Sequence, residues 1–267
     1  IMDRNTFTGL FLIMIVLAGS FYFFKPSEAE IKQEQQRITA DSVKKSGVTP
    51  APVTAKTAAT PAVDSLALKG PFGNNLIGTE ATSVLENEKL KLTFTNKGGK
   101  IKSVEVRGEK TYLGKPVVLF DGDQNKFGLN LNIAGKLLST NELYFTPVAK
   151  TDSSVTMRAT YSEGKYIEYV YHLKGNSNNV DFNVNLNGLN QVIQSNNISL
   201  NWETVLLEQE KSLKNEQRYS APYYKYAEET PDHLGVDKDK KESLTEGKIE
   251  WIAFKQHLFS GVLIPKD

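Results

Sequence analysis

Residues Phe7 to Phe24 form one continuous apolar run, FTGLFLIMIVLAGSFYFF, and nothing else in the chain matches it. At about 1.5 Å rise per residue such a run spans roughly 27 Å as a helix, close to the hydrocarbon thickness of a bilayer. Arg4 stands before it, and Phe21, Tyr22, Phe23, Phe24 and Lys25 close it. Rings followed by an amine suit the headgroup boundary, where aromatic groups settle and lysines reach outward. The run predicts a lipid-bilayer anchor, with everything after Lys25 soluble in character. Val16-Leu17-Ala18 offers small residues for a signal-peptide cut, but the apolar segment continues past that point, so an uncleaved anchor is expected. Counting Lys25, Lys32, Arg37, Lys44 and Lys45 against Arg4 would put the long side in the cytoplasm. Long domains cross largely regardless of such charges, so the tally does not fix orientation.

The remaining ~240 residues suffice for one large β domain or two small ones. Lys plus Arg total 32 and Asp plus Glu total 31, so no global field recruits nucleic acid. Cysteine is absent, which removes disulfides, thiolate metal sites and cysteine nucleophiles.

Pro26-Ser27-Glu28-Ala29-Glu30 reads as a helix start with Ser27 as N-cap, giving a polar juxtamembrane helix over residues 26–45. Ile31, Ile38 and Val43 are too few for a burying stripe. Residues 46–72, punctuated by Pro50, Pro52, Pro61 and Pro71, read as a semi-stiff linker.

From about Gly73 the pattern is β. Leu90, Leu92 and Phe94 alternate with polar residues, and Asn96-Lys97-Gly98-Gly99 supplies a turn tolerant of positive φ. Phe127 to Ile133, Val155 to Tyr161 and Val180 to Leu186 repeat the alternation, and Tyr166 to Leu173 is rich in aromatic and β-branched residues. This predicts an antiparallel sandwich over residues 73–267. Leu206 to Tyr226 and Glu228 to Gly247 break the rhythm and read as loops or short helices. The chain stops at Asp267 directly after a strand and reads as truncated there.

The sequence offers little chemistry. His172, His233 and His257 are widely separated, without metal-ligand spacing or a base nearby in sequence. Nucleophile-elbow and phosphate-loop motifs are absent. Glu228-Glu229 reads as a solvated face. Tyr219, Tyr223, Tyr224 and Tyr226 would pack a loop against the sheet, or else stack on a sugar or grip an extended peptide. The expectation is therefore no enzyme, and no catalytic, cofactor-binding or metal-ligating residue.

Four segments carry a resemblance. Met2-Asp3-Arg4-Asn5-Thr6 leads directly into the apolar run, and Phe94-Thr95-Asn96-Lys97-Gly98-Gly99-Lys100-Ile101 makes a Gly-Gly hairpin. Arg218-Tyr219-Ser220-Ala221-Pro222-Tyr223-Tyr224 is tyrosine-rich, and Trp251, Ala253, Lys255, Gln256 and Phe259 fit W-x-A-x-K-Q-x-x-F. In this order they resemble the amino-terminal part of the YidC family of bacterial membrane protein insertases. The resemblance implies an inner-membrane anchor with a cytoplasmic amino terminus and a periplasmic β-supersandwich of galactose mutarotase type. It further implies partnership with the Sec translocon and with nascent membrane proteins. The family's client groove and its arginine belong to a helical core without counterpart in these residues; Arg4 does not match it. The rival reading is an anchored carbohydrate-binding or mutarotase-like sandwich. That reading wants a histidine–carboxylate constellation, which the three histidines do not supply in sequence.

Overall fold

The computed structural model describes residues 70–194, 198–236, 241–245 and 247–266. The apolar run Phe7 to Phe24, the polar helix over residues 26–45 and most of the linker lie outside the described residues. Among the described residues no helix is long and apolar enough to cross a membrane.

Alternation dictates the strands and their faces. The described residues form four antiparallel sheets. The first orders β1 (Thr82–Glu86), β2 (Leu90–Thr95), β3 (Lys100–Lys110) and β4 (Pro116–Phe120) in sequence. β5 (Lys126–Ile133) pairs with β6 (Lys136–Ser139). The second sheet runs β10-β9-β8-β7, from β7 (Thr146–Lys150), β8 (Ser154–Ser162), β9 (Lys165–Leu173) and β10 (Val180–Asn187). β11 (Ser199–Glu203) joins the far side of β5, so the third sheet is β11-β5-β6.

These three sheets share one core. Leu92 and Phe94 of β2 face Met157, Ala159, Ile167, Tyr169 and Tyr171 of the second sheet, all buried. Leu129, Leu131 and Ile133 of β5 close it from the third. Aromatic pairs bind the layers: Phe94 to Tyr171 at 5.0 Å, Phe145 to Tyr169 at 4.8 Å and Phe182 to Phe127 at 5.2 Å between ring centroids. Such pairs contribute roughly 0.5–1.5 kcal/mol each beyond the area they remove from water. The core reaches back to Phe72, where the linker was expected to end: its ring is 2% exposed and lies 5.6 Å from Tyr161.

The fourth sheet is where the structure departs from expectation. Leu213–Arg218 forms a short helix, α1, capped by Ser212, whose side chain accepts from the Asn215 N–H. The tyrosine-rich stretch that follows is a strand, β12 (Ala221–Tyr226), and not a loop. It is central, lying between β13 (Asp232–His233) and β14 (Ile249–Lys255), with β15 (Ser260–Leu263) at the edge. Its burial does not alternate, because Pro222 through Lys225 are half-buried on both faces. Periodicity therefore gave no signal. Tyrosine's strand preference and the similar composition of β14 were the clues available.

Candidate binding cleft

β4, β11 and β15 are each the outer strand of their own sheet, and all three border one shallow cleft. Leu119, Phe120, Trp202, Leu206 and Phe254 supply apolar walls, with Gly261 at the rim, around a shallow groove open to solvent. Trp202 is the hinge of the arrangement. Its ring meets Phe254 at 4.6 Å and Phe127 at 6.5 Å, both edge-on. Phe127 continues to Phe182, which stacks on Tyr171 at 4.7 Å. An unbroken line of rings thus runs from the core to the cleft, so the wall is held by packing.

Polar groups fix the cleft from below. Glu216 of α1 is 3% exposed, and its carboxylate accepts the Gln209 N–H at 3.1 Å, the Glu210 N–H at 3.3 Å and Gln256 Nε2 at 3.0 Å. Gln256 Nε2 also donates to the Leu207 carbonyl at 2.8 Å. Gln209 Nε2 donates to the carbonyls of Val118 at 2.7 Å and Leu207 at 3.0 Å, leaving its Oε1 buried without a partner. A buried carboxylate is tolerable only with such donors. The knot ties α1, the segment over residues 207–210, β4 and the turn after β14 into one unit. Asn125 anchors the other side, its Oδ1 accepting from Thr204 Oγ1 at 2.8 Å and the Val205 N–H at 3.0 Å. Lys100 donates Nζ to the Asn125 carbonyl, and burial lowers its pKa below the usual lysine range.

The W-x-A-x-K-Q-x-x-F run acquires physical meaning here. Ala253 is buried in β14, Gln256 enters the knot and Lys255 donates to the Tyr219 carbonyl at 3.3 Å. The Gln256 N–H bonds the Phe259 carbonyl at 2.8 Å, turning the chain into β15.

The histidines stay apart. His172 lies exposed on β9. His233 stacks on Tyr223 at 5.0 Å, and its Nδ1 is 3.7 Å from Asp232. His257 stacks on Tyr219 at 4.4 Å, and its Nδ1 is 2.8 Å from Glu210 Oε1. That carboxylate stands 47 residues away in sequence, which is why spacing could not reveal the pair. No second histidine joins it. Tyr224 bonds Glu242 at 2.9 Å, and this bond pushes its phenol up to about 12. Tyr226 is buried and meets Tyr224 edge-on at 5.9 Å. The tyrosines thus serve sheet packing and local pairing. Glu228 takes positive φ in an exposed turn beside Glu229. Among the described residues no group of histidines and carboxylates is placed to hold a metal ion. Chemically, the groove presents apolar ring surface, and β11 and β15 beside it are outer strands of their sheets.

Comparison with known proteins completes the picture. The model of the YidC periplasmic domain matches residues 82–267. Over 271 residues the chain is 36% identical to the membrane protein insertase YidC of Phocaeicola vulgatus, covering 98% of this chain and 43% of that protein. The corresponding protein of Bacteroides fragilis is 34% identical over 278 residues, covering 100% and 44%. That of Chlorobium limicola is 28% identical over 277 residues, covering 99% and 46%. The chain spans less than half the length of these relatives.

Proposed function

This chain belongs to the YidC family of membrane protein insertases, and from that premise we propose that it forms the anchored amino-terminal part of an insertase assisting inner-membrane proteins, alone or with the Sec translocon. Phe7 to Phe24 is the bilayer anchor, with the amino terminus in the cytoplasm and the β-sandwich in the periplasm. The sandwich acts as a docking platform for emerging clients or translocon subunits, and performs no covalent chemistry. The observation that carries this reading is the apolar cleft walled by Trp202 and Phe254 and flanked by three edge strands. An apolar client segment, still extended before it enters the bilayer, would meet ring surface there, beside the outer strands β11 and β15. By itself this stretch should not insert clients. A polar groove inside the bilayer needs several helices, so that its ionisable groups face protein or water.

The test is a photo-crosslinking amino acid at Ser260, on the cleft rim, in the full chain placed in inner-membrane vesicles that are translating a small membrane protein. Adducts to the nascent chain are expected at Ser260, and they should fall away when Trp202→Ala is added. A crosslinker at Leu137, exposed on β6, should give none. Equal yields at the two positions would sink the docking role.

A further inference from the structure

The turn joining β3 to β4 presents Tyr112 and Leu113, 48% and 62% exposed, at its tip. Turn tips ordinarily carry Asn, Asp, Gly or Ser, whose side chains bond locally and cost nothing in water. This tip is not a loose excursion. The Thr111 N–H donates to the Lys115 carbonyl at 2.8 Å, the Gly114 N–H returns to the Thr111 carbonyl at 2.8 Å, and Gly114 takes φ +74°. The two apolar side chains are therefore held outward on a rigid tip. The Tyr112 N–H bonds the Gln209 carbonyl at 3.1 Å, which fastens the tip beside α1. There Leu213 is 47% exposed.

Charge surrounds this apolar group in a particular way. Lys110 and Lys115 bracket the tip, Lys211 stands exposed just before α1, and Lys214 and Arg218 stand exposed on it. Of the nearby acids, Glu216 is buried in the polar knot and Glu210 is engaged by His257. Glu109 and Glu208 remain exposed and partly offset the lysines. Apolar side chains ringed by amines match the boundary of a bilayer with anionic headgroups, where rings and leucines enter and amines stay at the phosphates.

We propose that the Tyr112-Leu113 tip and the adjoining α1 surface dock the β-sandwich onto the lipid surface of the membrane that anchors the chain. The inference rests on Phe7 to Phe24 being the anchor. About 45 residues separate that run from Gly70, read in the sequence as a polar helix of roughly 30 Å over residues 26–45 followed by a semi-stiff proline-bearing spacer. A domain of this size has a radius of gyration of about 16–17 Å. The tether makes this bilayer the permanent neighbour of the sandwich, at a raised effective concentration that favours a small contact through one tip and one helix. A soluble partner or a second copy would have to compete with that surface. Docking would orient the cleft at a fixed height above the bilayer.

The absence of cysteine makes the test direct. The full chain is reconstituted in phosphatidylethanolamine and phosphatidylglycerol vesicles, with an environment-sensitive dye on Leu113→Cys, Leu137→Cys or Leu17→Cys. Acyl-brominated lipids should quench the dye at position 113 at least about threefold more than at position 137, and Lys110→Glu with Lys115→Glu or added salt should roughly halve that quenching. Leu137 is 78% exposed on β6 and controls for exposure alone. Position 17 reads the anchor separately: no quenching there would remove the premise itself. Quenching at 17 with none at 113 would overturn the docking. So would shielding of 113 from aqueous iodide without lipid quenching, a result that would point to a protein partner.

Discussion

The Tyr171 hydroxyl donates to the Gly99 carbonyl at 2.9 Å, joining residues 72 apart. One belongs to the middle of β9 and the other to the Gly-Gly turn before β3. The bond lies inside the core, where Phe94 packs against the same tyrosine ring. The turn is held from a second side as well. The Gly98 N–H donates to the Leu143 carbonyl at 2.7 Å, and the Phe145 N–H donates to Asn96 at 2.8 Å. A local turn has thereby become a joint between two sheets.

Gly99→Ala should be among the most costly single methyl additions. Gly99 takes φ +61°, and an added Cβ would lie 2.8 Å from the Phe145 ring. Left-handed backbone costs an L-residue about 1–2 kcal/mol. Overpacking a filled core adds about 1–3 kcal/mol. Urea unfolding should show a loss of roughly 2–5 kcal/mol, against under about 0.5 kcal/mol for an exposed surface change. A loss below about 1 kcal/mol would mean that the turn yields easily.

Gln256→Ala should destabilise by about 2–3 kcal/mol, because it leaves the buried Glu216 carboxylate and the Leu207 carbonyl each short of a donor. The effect should be strongly non-additive with Glu216→Gln in a double-mutant cycle, since both act through one knot. Additive losses would show that the two side chains are energetically independent.

High pH should unfold the sandwich through its core phenols. Burial pushes Tyr169 up to about 12 and Tyr171 well above 10, while the Thr140 bond only partly opposes this for Tyr169. The folded state then holds protons that the unfolded chain releases near pH 10, so stability is complete below 10 and declines as pH climbs toward 12. Tyr169 alone accounts for roughly 3 kcal/mol across that window. Phenolate absorbance followed alongside circular dichroism should show these two tyrosines ionising only as strand signal disappears. Their ionisation in a folded chain would contradict the burial argument.

Particular strands show how far the sequence reaches. Alternation marked β2, β5, β8 and β10 because one face of each meets the core and the other meets water; for β9, aromatic and β-branched content was the guide. Period 2 records that asymmetry directly. Glycines fixed the Asn96-Lys97-Gly98-Gly99 turn for the same local reason. β12 escaped because both of its faces are half-covered, so no alternation was imposed on it. The family was also legible, through W-x-A-x-K-Q-x-x-F, although nothing in that spacing said what Gln256 holds.

The β class, the Asn96-Lys97-Gly98-Gly99 turn and the family are written along the chain, since each depends on near neighbours in sequence. Tertiary structure alone decided that Gln209, Glu216 and Gln256 form one buried knot, that Glu210 pairs with His257, and that β4, β11 and β15 meet at one cleft. Each of these joins residues brought together by sheet packing, and the free energy that places them belongs to the whole core, so no local window of sequence carries it.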